Sequence, residues 1–181
     1  SDLIVVEMHS GSEYSYSPGS DYDSYEPPDG YETMRLNPAS EIGFLDDPLM
    51  GMEAEDYSPR LDRPQMWDRA IRQFAIDEGA DAVIVHHPHI IQGLEIYNGK
   101  MIAHSLGNFI FDLNYPETYP SMILNTEADE SGFTGYSITP IYIDDYLTVP
   151  ALGELANYIL DHIAMRSREL DTYVHVNPES N

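Results

Sequence analysis

The chain has 181 residues, no cysteine, and 32 acidic against 8 basic residues, for a formal net charge of −24. This length is enough for one domain that buries a core without a disulfide or metal staple, and the missing cysteine removes disulfides, thiolate chemistry and cysteine zinc sites. So acidic a surface repels nucleic acid and anionic membrane, which need Lys/Arg clusters, and Lys100 is the only lysine.

In chain order, Asp2–Met8, "DLIVVEM", is too short for a helix and rich in β-branched residues, which predicts a strand. It runs into His9-Ser10-Gly11. From Ser12 to about Pro64 the composition turns to Pro, Gly, Asp, Ser and Tyr, the mark of a long acidic loop with at most a short helical turn. Within it "DYDSYEPPDG" has the spaced aspartates of a calcium loop, but its glycine and closing glutamate are misplaced, so a solvated loop is favoured.

Gln65–Glu78 places Trp67, Ala70, Ile71, Phe74 and Ala75 at helical spacing, with Gly79 as a stop. "DAVIV" (81–85) follows as a buried parallel strand, so the helix makes a crossover unit. "QGLEIY" and "KMIAHSL" flank Asn98-Gly99, a strong hairpin signal. Further strands are expected at 121–126 and 135–143, and a helix over 150–170. The fold class is α/β. No apolar run reaches membrane-span length, and the N-terminus carries no basic, signal-like region.

"IVHHPHIIQG" (84–93) puts His86, His87 and His89 within four positions at the end of the second strand, and His9 ends the first. Parallel strands deliver their C-terminal ends to one edge of the sheet, so these histidines are expected to meet. Neutral imidazole is the commonest metal ligand, and Pro88 stiffens the His-Pro-His turn. The competing reading has the histidines capping strand ends. With no cysteine, further ligands must be carboxylates, amides or water, which favours a catalytic over a closed structural site. A lesser alternative is a serine hydrolase: "IAHSLGNF" (102–109) partly matches a nucleophile elbow with Ser105 as nucleophile, although "NFIFDLNYPETYP" is poor helix material after it.

Three stretches resemble the CapA family of poly-γ-glutamate capsule synthesis, whose fold is related to calcineurin-like metallophosphoesterases. "DLIVVEMHSGSEYSY" resembles the family's strand ending in His-Trp-Gly-x-Glu-Tyr. "AIDEGADAVIVHHPHIIQGLEIYNGKMIAHSLGNFIFD" resembles its Gly-Ala-Asp, His-Pro-His, Ser-Leu-Gly-Asn-Phe block. "YIDDYLTVPALGELANYILDHIAMRSREL" resembles its C-terminal segment. Ser10 stands where the family has Trp, Val85 where it usually has Gly, and His104 where it usually has Tyr. The acidic stretch at about 17–63 reads as an insertion.

The resemblance implies that residues 1–181 form the C-terminal portion of a metallophosphoesterase-type layered α/β sandwich, incomplete without an N-terminal half on the same or another chain. It points to His9, His87 and His89 as metal ligands, His86 as a variable neighbour, Asn108 as a site-lining amide and Glu13 as a carboxylate that partners a ligand. The implied cofactor is one or more divalent metal ions, with manganese, zinc and iron open. The implied function is a metal-dependent, phosphoesterase-like hydrolase of capsule or surface-polymer biosynthesis. The alternative is a non-catalytic surface or scaffold protein on the same fold, since fold alone does not choose. The expected location is extracellular or cell-surface; the alternative is the cytoplasm of a high-salt organism, and calcium or other cations are expected at the acidic surface.

Overall fold

A computed structural model describes residues 3–11, 13–18, 68–112 and 115–175. The acidic insertion beyond Pro18, its calcium-like fragment and Trp67 lie outside the described residues. The elements are β1 (Val5–His9), α1 (Asp68–Asp77), β2 (Ala82–His86), β3 (Leu94–Tyr97), β4 (Lys100–Ala103), a 3₁₀ turn (Pro116–Thr118), β5 (Pro120–Asp129), β6 (Gly132–Asp144), β7 (Leu147–Pro150) and α2 (Gly153–Arg168). The protein is mixed α/β, with two sheets and two helices among the described residues.

The first sheet has the order β1-β2-β4-β3, with β1, β2 and β4 parallel and β3 antiparallel to β4. Helix α1 is the crossover from β1 to β2. Gly79 ends it at φ +111, with Gly79 N–H donating to Ile76 O and Ala80 N–H to Ala75 O, a left-handed cap that glycine adopts without strain. The β3–β4 hairpin turns on Asn98 and Gly99 at φ +49 and +76, the two left-handed residues of a primed turn.

The two faces of this sheet bury different sets. On one, Val83, Val85 and Ile102 pack with Ile76 and Ala80 at the end of α1. On the other, Leu94, Met101 and Ala103 pack with Ile159 and Ile163 of α2 and Met122 of the second sheet. Each fully buried aliphatic side chain contributes about 1.5–3 kcal/mol. Gly93 sits where α2 closes on the sheet: a Cβ there would lie 2.6 Å from Arg166 O.

The second sheet is an antiparallel β5-β6-β7 meander with a bulge at Glu127/Ala128. Its strands run longer than the 121–126 and 135–143 expected, and β7 adds an edge strand that the pattern hid.

Helix α1 departs from its expected face. Ile71 and Phe74, spaced as core residues, are exposed, while Asp68, Arg72 and Gln73 are buried. The reason is a polar partner set beneath the helix.

Candidate functional site

Parallel pairing puts His9 opposite His86 at the carboxyl ends of β1 and β2. Both chains then bend into one cluster. Ser10 N–H donates to His86 O at 3.1 Å, and Tyr14 N–H to Pro88 O at 2.8 Å. Gly11 takes φ +117, and a Cβ there would meet Arg72 Nη2 at 3.0 Å and Pro88 Cγ at 3.3 Å. Only glycine fits this bend without displacing its neighbours. His87 and His89 adopt φ +110 and +62. Such backbone costs on the order of 1–3 kcal/mol in a non-glycine residue and concentrates at functional sites.

The strained turn aims the rings. His87 Nδ1 lies 3.1 Å from His9 Nε2, with ring centroids 4.7 Å apart. Nitrogens bound to one zinc-like ion at about 2.0–2.1 Å, at angles between square and tetrahedral, sit about 2.8–3.4 Å apart. The same separation fits a hydrogen bond between the two rings. Burial, then the neighbouring His9 and His89, lowers the His87 pKa, which favours the neutral, ligating form.

His89 is the third ring, its centroid 6.3 Å from that of His87. Its Nδ1 donates to Asn108 Oδ1 at 2.8 Å, which leaves Nε2 as the nitrogen that faces Glu13 Oε1, at 3.9 Å. An oriented ring with its other nitrogen held by an acceptor is the arrangement metal-binding histidines use. Tyr14 stacks on His89 and Phe111 packs against it. Thus His9 and His87 converge, and Asn108 and Glu13 flank His89. His86 is exposed at the strand end. Among the described residues no group of three or more His, Asp or Glu side chains is closely enough gathered to hold a metal ion.

Below the cluster lies a buried network that spacing did not reveal. Arg72, fully buried, donates from Nη2 to Ser10 O at 3.2 Å and from Nη1 to His104 Nδ1 at 2.9 Å. Arginine only donates, so His104 Nδ1 accepts and its Nε2–H donates to Glu95 Oε2 at 2.8 Å. Complete burial pushes His104 down to about 4 despite the Glu95 hydrogen bond. Glu95 also pairs with Arg69 at 2.8 Å and accepts from Gln73 at 2.6 Å. Burial alone would raise Glu95, but hydrogen bonds from His104 and Arg69 hold it at about 2. Gln92, its Oε1 3.5 Å from Arg72, donates to Ser15 O at 2.6 Å. Arg72 therefore ties α1 to the backbone that carries His9 and, through Gln92, to the segment that carries Glu13.

Ser105 has none of the features an elbow requires. It is buried, its Oγ accepts the Gly107 N–H at 3.3 Å, and its φ is not left-handed. The chain after it forms an isolated bridge, Leu106 to Ile91, and irregular backbone in place of a helix. The geometry around Ser105 lends the serine-hydrolase reading no support.

The model of the bacterial capsule synthesis protein PGA_cap matches residues 58–113. The PGA biosynthesis protein CapA of Bacillus subtilis (strain 168) is 34% identical over 87 residues. The matched stretch is similar to the sequences of CapA proteins. That alignment covers 48% of this chain and 23% of the B. subtilis protein. The capsule biosynthesis protein CapA of Bacillus anthracis is 29% identical over 93 residues, 51% of this chain and 23% of its own. An uncharacterized protein, y4sH, of Sinorhizobium fredii (strain NBRC 101917 / NGR234) is 43% identical over 113 residues, 51% of this chain and 24% of its own. The chain thus spans about a quarter of the length of these curated relatives. The PGA_cap match takes in α1, the His86–His89 turn, the hairpin and Asn108, whereas His9 and Glu13 lie outside it.

Proposed function

We propose that this chain supplies the histidine side of a divalent-metal hydrolytic centre in a CapA-like protein of capsule or surface-polymer biosynthesis. The observation that carries the reading is the His9–His87 contact, two imidazole nitrogens at a separation suited to one ion, with the backbone strained at His87. His9 and His87 would hold the ion, His89 would offer Nε2, Asn108 fixes the His89 ring, and Glu13 is the nearby carboxylate. Imidazole donors suit zinc and iron, and a carboxylate neighbour admits manganese. A bound divalent ion would supply an acidified water and charge stabilisation at a phosphoester oxygen.

The reading further takes the fold as metallophosphoesterase-type, with an N-terminal half on the same or a separate chain contributing carboxylate ligands, and with work at the cell surface. A second reading, a non-catalytic binding protein on the same fold, is favoured because no three His, Asp or Glu side chains among the described residues gather closely enough to hold a metal ion.

Two measurements test the proposal together. Isothermal titration with Mn²⁺ and Zn²⁺ should show saturable binding that His87→Ala removes. An aryl phosphodiester should be hydrolysed in a metal-dependent way that a chelator stops and added metal restores. Metal binding without turnover would favour the binding-protein reading; neither would refute the centre.

A further inference from the structure

A cavity of about 390 Å³ opens away from the histidine rings, between the 3₁₀ turn, the second sheet and α2. Its size suits a small organic molecule. Tyr16, Tyr142 and Tyr158 line it with Ile91, and Glu117 and His162 are its ionisable groups besides the phenols. His162 Nε2 faces Ile91 O at 3.4 Å, and burial lowers its pKa, which favours the neutral ring. Glu117 is the carboxyl group on the cavity wall. It is half-buried and has no cationic partner among the described residues.

The aromatic wall has already accepted one cation. Arg166 lies over the Tyr16 ring, 4.7 Å from its centroid, and His162 meets the same ring edge-on at 5.1 Å. A tyrosine face attracts ammonium groups through its quadrupole, and a partly buried carboxylate adds a charge-assisted hydrogen bond. Tyr158 keeps most of its surface exposed at 64%, so its ring is available to an incoming group.

We propose that this cavity is a binding site for a small organic ammonium group, held by the Glu117 carboxylate against the rings of Tyr16 and Tyr158. The site is independent of the histidine cluster and of any metal there. An anionic ligand is disfavoured, because no uncompensated cationic side chain lines the cavity to meet it.

The test is titration of the whole chain with glucosamine, followed by NMR or calorimetry, with glucose as a control of the same shape and no charge. Glucosamine should bind saturably and glucose should not. Glu117→Gln should weaken binding at least about tenfold, the scale of a lost charge-assisted hydrogen bond, and Tyr158→Ala should weaken it several-fold. Because a chain of net charge −24 draws any amine weakly, the two variants carry the discrimination. Binding unchanged in both variants, equal binding of glucose, or no saturable binding would each overturn the proposal.

Discussion

His87 Nδ1 and His9 Nε2 stand 3.1 Å apart although 78 positions separate them in the chain. The contact exists because β1 and β2 pair in parallel and end together, and because the bends after them are held from below. Arg72 holds the first bend through Ser10 O, and the Pro88–Tyr14 hydrogen bond ties it to the second.

Arg72→Met should therefore destabilise the protein by about 3–5 kcal/mol, the usual cost of breaking a buried charged network from one side. It leaves His104 Nδ1 and the Ser10 carbonyl without their buried donor. Denaturant unfolding measures this. A change below about 1 kcal/mol would mean that the network does not hold the fold. Exposed Ile71→Ala on the same helix should cost far less, although the sequence pattern ranks it as core.

Acid should unfold the protein in a window set by His104 and Glu95. The His104 pKa falls from 6.5 to about 4 on folding, so below pH 6.5 the unfolded chain takes up a proton that the native chain refuses. Stability is lost from pH 6.5 down to about 4. Glu95, lowered from 4.5 to about 2, adds a second loss as pH falls through that lower range. Asp68, raised to about 6 by burial against the pull of Arg72, works the other way, favouring the native state as pH falls. Comparing wild type with His104→Gln isolates the first effect: the variant should lose less stability between pH 6.5 and 4. Parallel curves would show that His104 does not carry it.

How much of this was written in the sequence varies by element. The Asn98-Gly99 hairpin was legible because its two left-handed residues have a chemical signature. The meeting of His9 with the His86–His89 turn followed from one topological rule. The buried face of α1 was not legible, since helical spacing sends Arg72 and Gln73 outward and Ile71 and Phe74 inward. Only Glu95, His104 and the Ser10 carbonyl, brought in by tertiary structure, reverse that assignment. β7 was hidden by its shortness and its terminal Pro150, which an edge strand tolerates.

Salt should raise stability. With a net charge of −24 and one lysine, self-repulsion opposes the folded state and is screened mostly below molar concentration. Melting temperature should climb through a sodium chloride series and then level off. A flat or falling series would contradict this account of the surface.

Bound-metal stoichiometry read beside melting curves decides whether His9, His87 and His89 are the proposed metal ligands. The comparison is wild type against His9→Ala, His86→Ala, His87→Ala and His89→Ala, each equilibrated with Mn²⁺ or Zn²⁺ at neutral pH. The account predicts that His9→Ala and His87→Ala lose most of the metal, that His89→Ala weakens it, and that exposed His86→Ala keeps it. Melting in the metal-free state should shift little in all four, because the core lies elsewhere. Loss of stability in the variants with no metal to lose in the wild type would contradict it, and would leave these histidines as caps on two strand ends.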